Sequence, residues 1–182
     1  DVDLPLNLNL LASARWDEYD SFDRKGTYSL QLAHQIEPTA TQLFAKVATG
    51  YKAPSGQDFV FLDPSVDPDT LAPEESFSYE FGIRQALPNQ LGSISVVYFN
   101  TELENLIDSI GFPAFPSQVD TRMDGIEFGL NLVPVEGLTL YRNYTYLDAV
   151  ITRGQYLGGY GGGPGTRLPR RPQHTLSGGL LY

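Results

Sequence analysis

Cysteine is absent from this chain, and methionine and tryptophan occur once each. Without cysteine there is neither a disulfide framework nor a thiolate metal site. Basic residues are few: 12 Lys and Arg stand against 22 Asp and Glu, a net charge of -10. A nucleic-acid binder needs a basic stripe, so that class is excluded. No apolar run approaches the ~18 residues of a membrane helix, and no signal-peptide pattern is visible. No sustained 3.6-residue period marks a helix either. None of these absences bears on a β-barrel, which crosses a bilayer with alternating strands. What the chain does have is 11 Tyr, 10 Phe, 18 Gly and 13 Pro, the composition of a β protein with many turns. Its 182 residues suffice for one domain or two small ones. It opens inside a strand pattern without a start methionine, which reads as a mature product or an excised fragment.

Alternation dominates from the first residues. Val2, Leu4, Leu6, Leu8, Leu10, Ala12, Ala14 and Trp16 are apolar, and the residues between them are nearly all polar. A period of two predicts an extended strand with one oily face. The pattern recurs near residues 27–36, 41–51, 76–86, 93–99, 125–132, 138–146 and from 174, giving about eight strands. "EPTA", "LPNQ" and "PVEG" read as tight turns. The other connections, "DEYDSFDRKG", "KAPSGQDFVFLDPSVDPDTLAPEE", "NLIDSIGFPAFPSQVDTRMD" and "AVITRGQYLGGYGGGPGTRLPRRP", are longer, so short and long alternate. An all-β, antiparallel, up-and-down transmembrane β-barrel has this rhythm, with short periplasmic turns and longer extracellular loops.

Two further patterns agree. Trp16, Tyr28, Phe77, Tyr79, Tyr98, Tyr144 and Tyr146 gather on the apolar face beside the long connections, where aromatic rings favour a lipid–water interface. The opposite face is rich in Gly, Ser, Thr and Asn, with isolated charges at Arg15, Lys46, Glu80, Arg84 and Glu127, which suits a wet or plugged lumen. Arg142 is the exception, a charge on the apolar face. It is expected to snorkel, to contact a neighbour, or to mark a bulge. Two other readings stay open: a self-standing eight-stranded barrel of the structural or porin class, and a soluble two-sheet binding protein.

Five segments, in order, resemble those of TonB-dependent outer-membrane receptors. They are "ATGYKAPSG", "LAPEESFSYEFGIRQ", "SISVVYFNTELENLID", "MDGIEFGLNLVPVEGLTLYRNYTYLDA" and "LPRRPQHTLSGGLLY". The resemblance implies part of a barrel of about 22 strands, residues 1–182 being wall and loops with the plug domain absent. It implies active uptake of a scarce metal chelate, siderophore or cobalamin, across the bacterial outer membrane. The partners it implies are that chelate, membrane lipid and lipopolysaccharide, with TonB and a plug only in a full-length parent. "TYLDA" followed by "LPRRP" tilts the resemblance toward the cobalamin branch.

Other chemistry is thin. "YLGGYGGGPGTR" lacks the Gly-Lys-Ser/Thr ending of a phosphate loop. Asp63, Asp67 and Asp69 offer oxygen ligands for calcium, although their Asp-Pro spacing suits turns equally. His34 and His174 lie on the apolar face and no G-x-S-x-G occurs, so no enzyme and no cofactor is expected. Glu127 is a lumen carboxylate free to meet a basic group on a plug. Substrate contacts are expected from the outer loops at Tyr51, Tyr156, Tyr160 and Arg167, the last in a connection that also carries Arg153, Arg170 and Arg171.

Overall fold

The computed structural model describes residues 2–4, 7–19, 22–60, 67, 71–108, 117–156 and 162–182. Nine strands form one sheet in chain order: β1 (Val2–Leu4), β2 (Leu8–Tyr19), β3 (Phe22–Ile36), β4 (Thr41–Lys52), β5 (Glu74–Leu87), β6 (Gly92–Asp108), β7 (Ser117–Val135), β8 (Leu138–Arg153) and β9 (His174–Leu181). Each pairs antiparallel with the next, so the sheet is up-and-down throughout. β1 and β9 are its two edges, so the described sheet is open and not a closed eight-stranded barrel.

The first expected strand is in fact two. Asn7 takes φ 58 in a tight reversal, and Val2 pairs with Leu10 and Leu4 with Leu8. Asparagine tolerates this left-handed conformation because its short side chain bonds locally. The reversal keeps even-numbered positions opposite even-numbered ones, so the alternation runs across it unbroken. A period-two pattern alone cannot register such a turn.

Strands also reach further than the alternation implied. The long connection expected over "DEYDSFDRKG" is mostly ladder, since pairing continues to Tyr19↔Phe22. β6, β7 and β8 run for 17, 19 and 16 residues. A tilted strand needs only ~9–11 residues to cross the hydrocarbon. The excess lies at the end with the long connections, so the wall projects beyond the apolar band there. Within the β4–β5 connection, α1 (Gly56–Val60) is one helical turn that the sequence pattern does not announce. Ser55 donates to the Asp58 carboxylate at its start.

The remaining short connections gather at the opposite end. Two are single 3-10 turns opened by proline, Glu37–Thr39 and Pro88–Gln90, and the third is a Glu136–Gly137 turn with Gly137 at φ 82. These three and the reversal at Asn7 share one end, and of the four expected long outer connections only the β2–β3 one, paired up to Tyr19↔Phe22, is short.

Register assigns the faces. Leu32–Ala45–Phe81–Tyr98–Ile126–Tyr146 is one row of outward positions across β3 to β8. Trp16, Phe81 and Leu176 on this face are 73%, 55% and 65% exposed. A two-sheet sandwich would bury such a face against a partner sheet, and no second sheet is present among the described residues. The one cluster of buried apolar residues among the described residues lies instead at the projecting end: Val119, Ala149, Ile151, Tyr156 and Leu168.

On the opposite, inward face, three glycines lie under aromatic rings of the neighbouring strand. Gly82 faces Phe44, Gly125 faces Phe99 and Gly179 faces Tyr141, each a direct register pair or its immediate neighbour. A Cβ at Gly125 would stand 2.7 Å from Phe99 Cζ, and one at Gly179 2.6 Å from Tyr141 Cζ. Only glycine admits rings this close.

Arg142 sits in an unbroken ladder, opposite Leu130 on one side and Gly178 on the other. The register shifts of the β7–β8 pair fall elsewhere, at Asp120/Thr121 and Leu132/Val135. Of the three readings of this residue, a bulge at its own position is therefore excluded.

Candidate functional site at the outer mouth

The projecting ends of β4 to β8, with residues 71–73 and 162–168 of the connections, form a built rim. Its centre is a bulge in β6 between Leu103 and Leu106, where Asn105 takes φ 56. This kink turns Asn105 toward two neighbouring segments. Its backbone N–H donates to Asp120 Oδ1 at 3.0 Å, and its side-chain amide reaches the Pro73 carbonyl at 3.4 Å. Gln118 on β7 answers with two bonds to Ala72, donating to its carbonyl at 2.7 Å and accepting from its N–H at 3.3 Å. The end of the β4–β5 connection is thus tied across β6 to β7.

Arg153 closes the same network from β8, with a two-bond fork on the Asp120 carboxylate. The Arg153 guanidinium, helped by the Asn105 N–H, holds the Asp120 carboxyl below the usual carboxylate range against the opposing effect of its burial. Asp120 lies on the part of β7 that projects past the aromatic row. Beside it, the buried Glu74 pairs with Lys52 at 2.9 Å and accepts the Ile107 N–H at 3.2 Å. A buried carboxylate with both a cation and an N–H is satisfied, and its role is to hold β4, β5 and β6 together.

The β8–β9 connection folds back on this rim as a strand-like strap. Ile151 N–H donates to Thr166 O, Gly165 N–H to Ile151 O, and Leu168 N–H to Ala149 O. Tyr156 and Leu168 enter the buried cluster of Val119, Ala149 and Ile151. Arg167 is anchored as well: it donates to Gln173 Oε1 and to the Leu147 carbonyl, and lies 3.6 Å from Asp148.

The expected contact residues therefore occupy different settings. Tyr156 is a packing residue beneath the strap. Arg167 is exposed at its base but held by three partners. Tyr51 ends β4 on the outward side, in register with Glu75, and borders a 240 Å³ cleft with Lys25, Thr49, Glu102 and Glu104. A second cleft of 290 Å³, lined by Arg15, Asp17, Thr27, Gly50 and Lys52, opens on the inward side of the same strand ends. Tyr160, Asp63 and Asp69 lie outside the described residues. Asp67 is exposed, and among the described residues no group of three or more His, Cys, Asp or Glu gathers as a metal site. Asn105, Gln118, Asp120 and Glu74 escaped the sequence reading. The one available signal was the run Glu104-Asn105-Leu106-Ile107, where the alternation breaks.

Further down the inward wall, Lys46 lies 3.6 Å from Glu80. Arg84 donates to Gln42 at 3.2 Å and stacks 4.8 Å from the Phe44 ring centroid. Glu127, by contrast, is exposed and has no ion-pair partner among the described residues.

Comparison with known proteins fits this anatomy. The family model for the TonB dependent receptor-like β-barrel matches residues 1–182. The probable TonB-dependent siderophore receptor PiuA of Acinetobacter baumannii is 25% identical over 151 residues, 80% of this chain and 20% of that protein. The chain thus spans about a fifth of its relative. Among solved structures, the ferric enterobactin receptor PfeA superposes with a TM-score of 0.69 at 22% identity, over 97% of this chain and 28% of that one. The alcaligin receptor FauA of Bordetella pertussis gives 0.63 at 19% identity, over 95% and 31%. The outward apolar face, the tight turns at one end and the built rim at the other are thus parts of one known design, and the chain belongs to the TonB-dependent receptor family as a segment of its outer-membrane β-barrel.

Proposed function

We propose that this segment forms wall and outer rim of a receptor for active uptake of an iron–siderophore chelate. The observation that carries the reading is the whole-chain family match, together with siderophore receptors as its relatives. The cobalamin tilt drawn from "TYLDA" and "LPRRP" has no such support, and siderophore is the better class. On this reading the rim is scaffold: the Asn105–Gln118–Asp120–Arg153 network and the strap tie the ends of β5 to β8 together at the mouth of the lumen. Arg167, Arg170 and Arg171 at the strap base give positive charge suited to an anionic chelate or to lipopolysaccharide phosphates, and Tyr51 and Tyr160 are the aromatic candidates. Lipid meets the outward face, and plug and TonB act in the complete receptor.

The test is uptake by the complete receptor, expressed in an outer-membrane receptor deletion strain. Ferric siderophores should restore growth under iron limitation in a TonB-dependent way. Growth rescue confined to cobalamin-limited medium would sink the siderophore reading.

A further inference from the structure

We propose that Arg142 and the cleft beside it form a binding site for the phosphate of one phospholipid of the inner leaflet. The inference rests on the outward face meeting lipid and on nothing about the transported substrate.

Three observations converge. Arg142 is exposed on the outward face and has no ion pair or side-chain hydrogen bond among the described residues. Its register neighbours are Leu130 and Gly178, so no side chain of β9 stands beside it. A Cβ at position 178 would lie 3.0 Å from Arg142 Cγ, so the glycine is what lets the arginine stem lie across β9. Around this pair the surface sinks into a cleft of 490 Å³ lined by Leu130, Leu132, Leu140, Tyr141, Leu176 and residues 177–179. That volume far exceeds a guanidinium or a carboxylate side chain. It suits the glycerol and upper acyl carbons of a lipid whose phosphate meets the charge.

Charge and position choose the occupant. A lone guanidinium facing hydrocarbon needs an anion, and the planar fork matches a phosphate with two parallel N–H···O bonds. Leu132 and Leu140 extend the cleft from Arg142 toward the tight-turn end, away from the aromatic row of Tyr98 and Tyr146. Tight turns face the periplasm in such barrels, so the cleft leads to the phospholipid leaflet and not to lipopolysaccharide. The lipid head is drawn inward while the arginine reaches outward along the wall.

The experiment uses the complete receptor carrying this segment, as wild type, R142Q and R142K, extracted in mild detergent and examined by native mass spectrometry. Wild type should retain phospholipid. R142Q should lose retention by about tenfold or more, the worth of a charge-assisted hydrogen bond, and R142K should keep part of it. Equal retention by wild type and R142Q, or retention of lipopolysaccharide alone, would overturn the proposal. A second measurement compares urea midpoints in phospholipid vesicles and in lipid-free detergent. R142Q should lower the midpoint only in vesicles. An equal loss in both would place the contribution of Arg142 within the protein and refute the lipid site. Neither readout depends on which chelate is transported.

Discussion

At the scale of single residues, the rim divides into positions that pack and positions that pair. Leu168 belongs to the first kind: it is 4% exposed, and its N–H closes the strap onto Ala149. Leu168→Ala should cost about 2–5 kcal/mol locally, as large-to-small core changes do. Hydrogen exchange should speed up at Ile151, Gly165 and Leu168 while the β4–β5 ladder keeps its protection. Uniform loss of protection would mean that the strap is integral to the whole sheet. Asp120 and Arg153 belong to the second kind. Arg153 is largely exposed, so the pair itself contributes at most ~1 kcal/mol, and the Asn105 N–H adds the rest. Because the Asp120 carboxyl titrates lower in the folded rim than in the unfolded chain, its contribution is fully present above the ordinary value of about 3.9. It is lost as pH falls through the lower folded value. Asp120→Asn should therefore loosen the Asn105 bulge at neutral pH and erase that acid-dependent step, which exchange rates at Asn105 measured down the pH scale would reveal. An acid step that persists in the variant would belong to another group.

At the scale of the strand pair, the aromatic–glycine contacts follow a rule. They occur in the pairs β4–β5, β6–β7 and β8–β9, with Phe44 over Gly82, Phe99 by Gly125 and Tyr141 over Gly179. The β2–β3 pair has an outward version, Trp16 beside Gly26 at 3.3 Å. These four hairpins are the ones joined at the outer end. The hairpins β1–β2, β3–β4, β5–β6 and β7–β8, joined by tight turns at the opposite end, have their register set by turn geometry, whereas the longer connections of β4–β5, β6–β7 and β8–β9 leave it loose. A ring seated on a glycine supplies the missing lock. Gly82→Val should cost about 1–3 kcal/mol by overpacking, and Phe44→Ala should relieve much of that penalty in the double variant, because a Cβ at Gly82 meets the Phe44 ring before anything else. Urea midpoints of the four cycle members measure the coupling, and strict additivity would show that no lock exists. The sequence announced the faces of these strands because alternation is a local property. It did not announce the locks, since partners such as Phe44 and Gly82 are far apart in the chain and only register joins them. The same reason hid the rim: Asn105, Gln118 and Asp120 look like ordinary polar strand residues until a bulge and a returning loop bring them together. The reversal at Asn7 was hidden for the opposite reason, because it preserves the alternation on which the reading relied.

At the scale of the whole molecule, the inward wall has more bonded charge than free charge. Lys46 faces Glu80, Arg84 is held between Gln42 and the Phe44 ring, and Arg15 lies 2.7 Å from Asp17. The two ion pairs cancel their own charge without needing anything inside the lumen, whereas Arg84 keeps its charge and is held by uncharged partners. Glu127 differs. It stands between Gly125 and Gly129 on its own strand and opposite Val97 and Thr145 on its neighbours, with no cation beside it among the described residues. Short neighbours leave its carboxylate open to whatever occupies the pore. Where a plug of the kind the resemblance implies closes the pore of the complete receptor, this isolated wall carboxylate is expected to meet a plug cation once water is excluded, worth about 1.5–3 kcal/mol as a charged hydrogen bond. Glu127→Lys would turn that attraction into repulsion, whereas Glu80→Gln should alter only a wall pair. In the complete receptor, Glu127→Lys should therefore raise sensitivity to large hydrophilic antibiotics, the sign of a badly seated plug, while barrel abundance in the membrane stays normal. Glu80→Gln should leave sensitivity unchanged. If both variants leak alike, the wall charges act through barrel stability and Glu127 has no distinct partner. If neither leaks, the plug is seated by contacts on other parts of the wall.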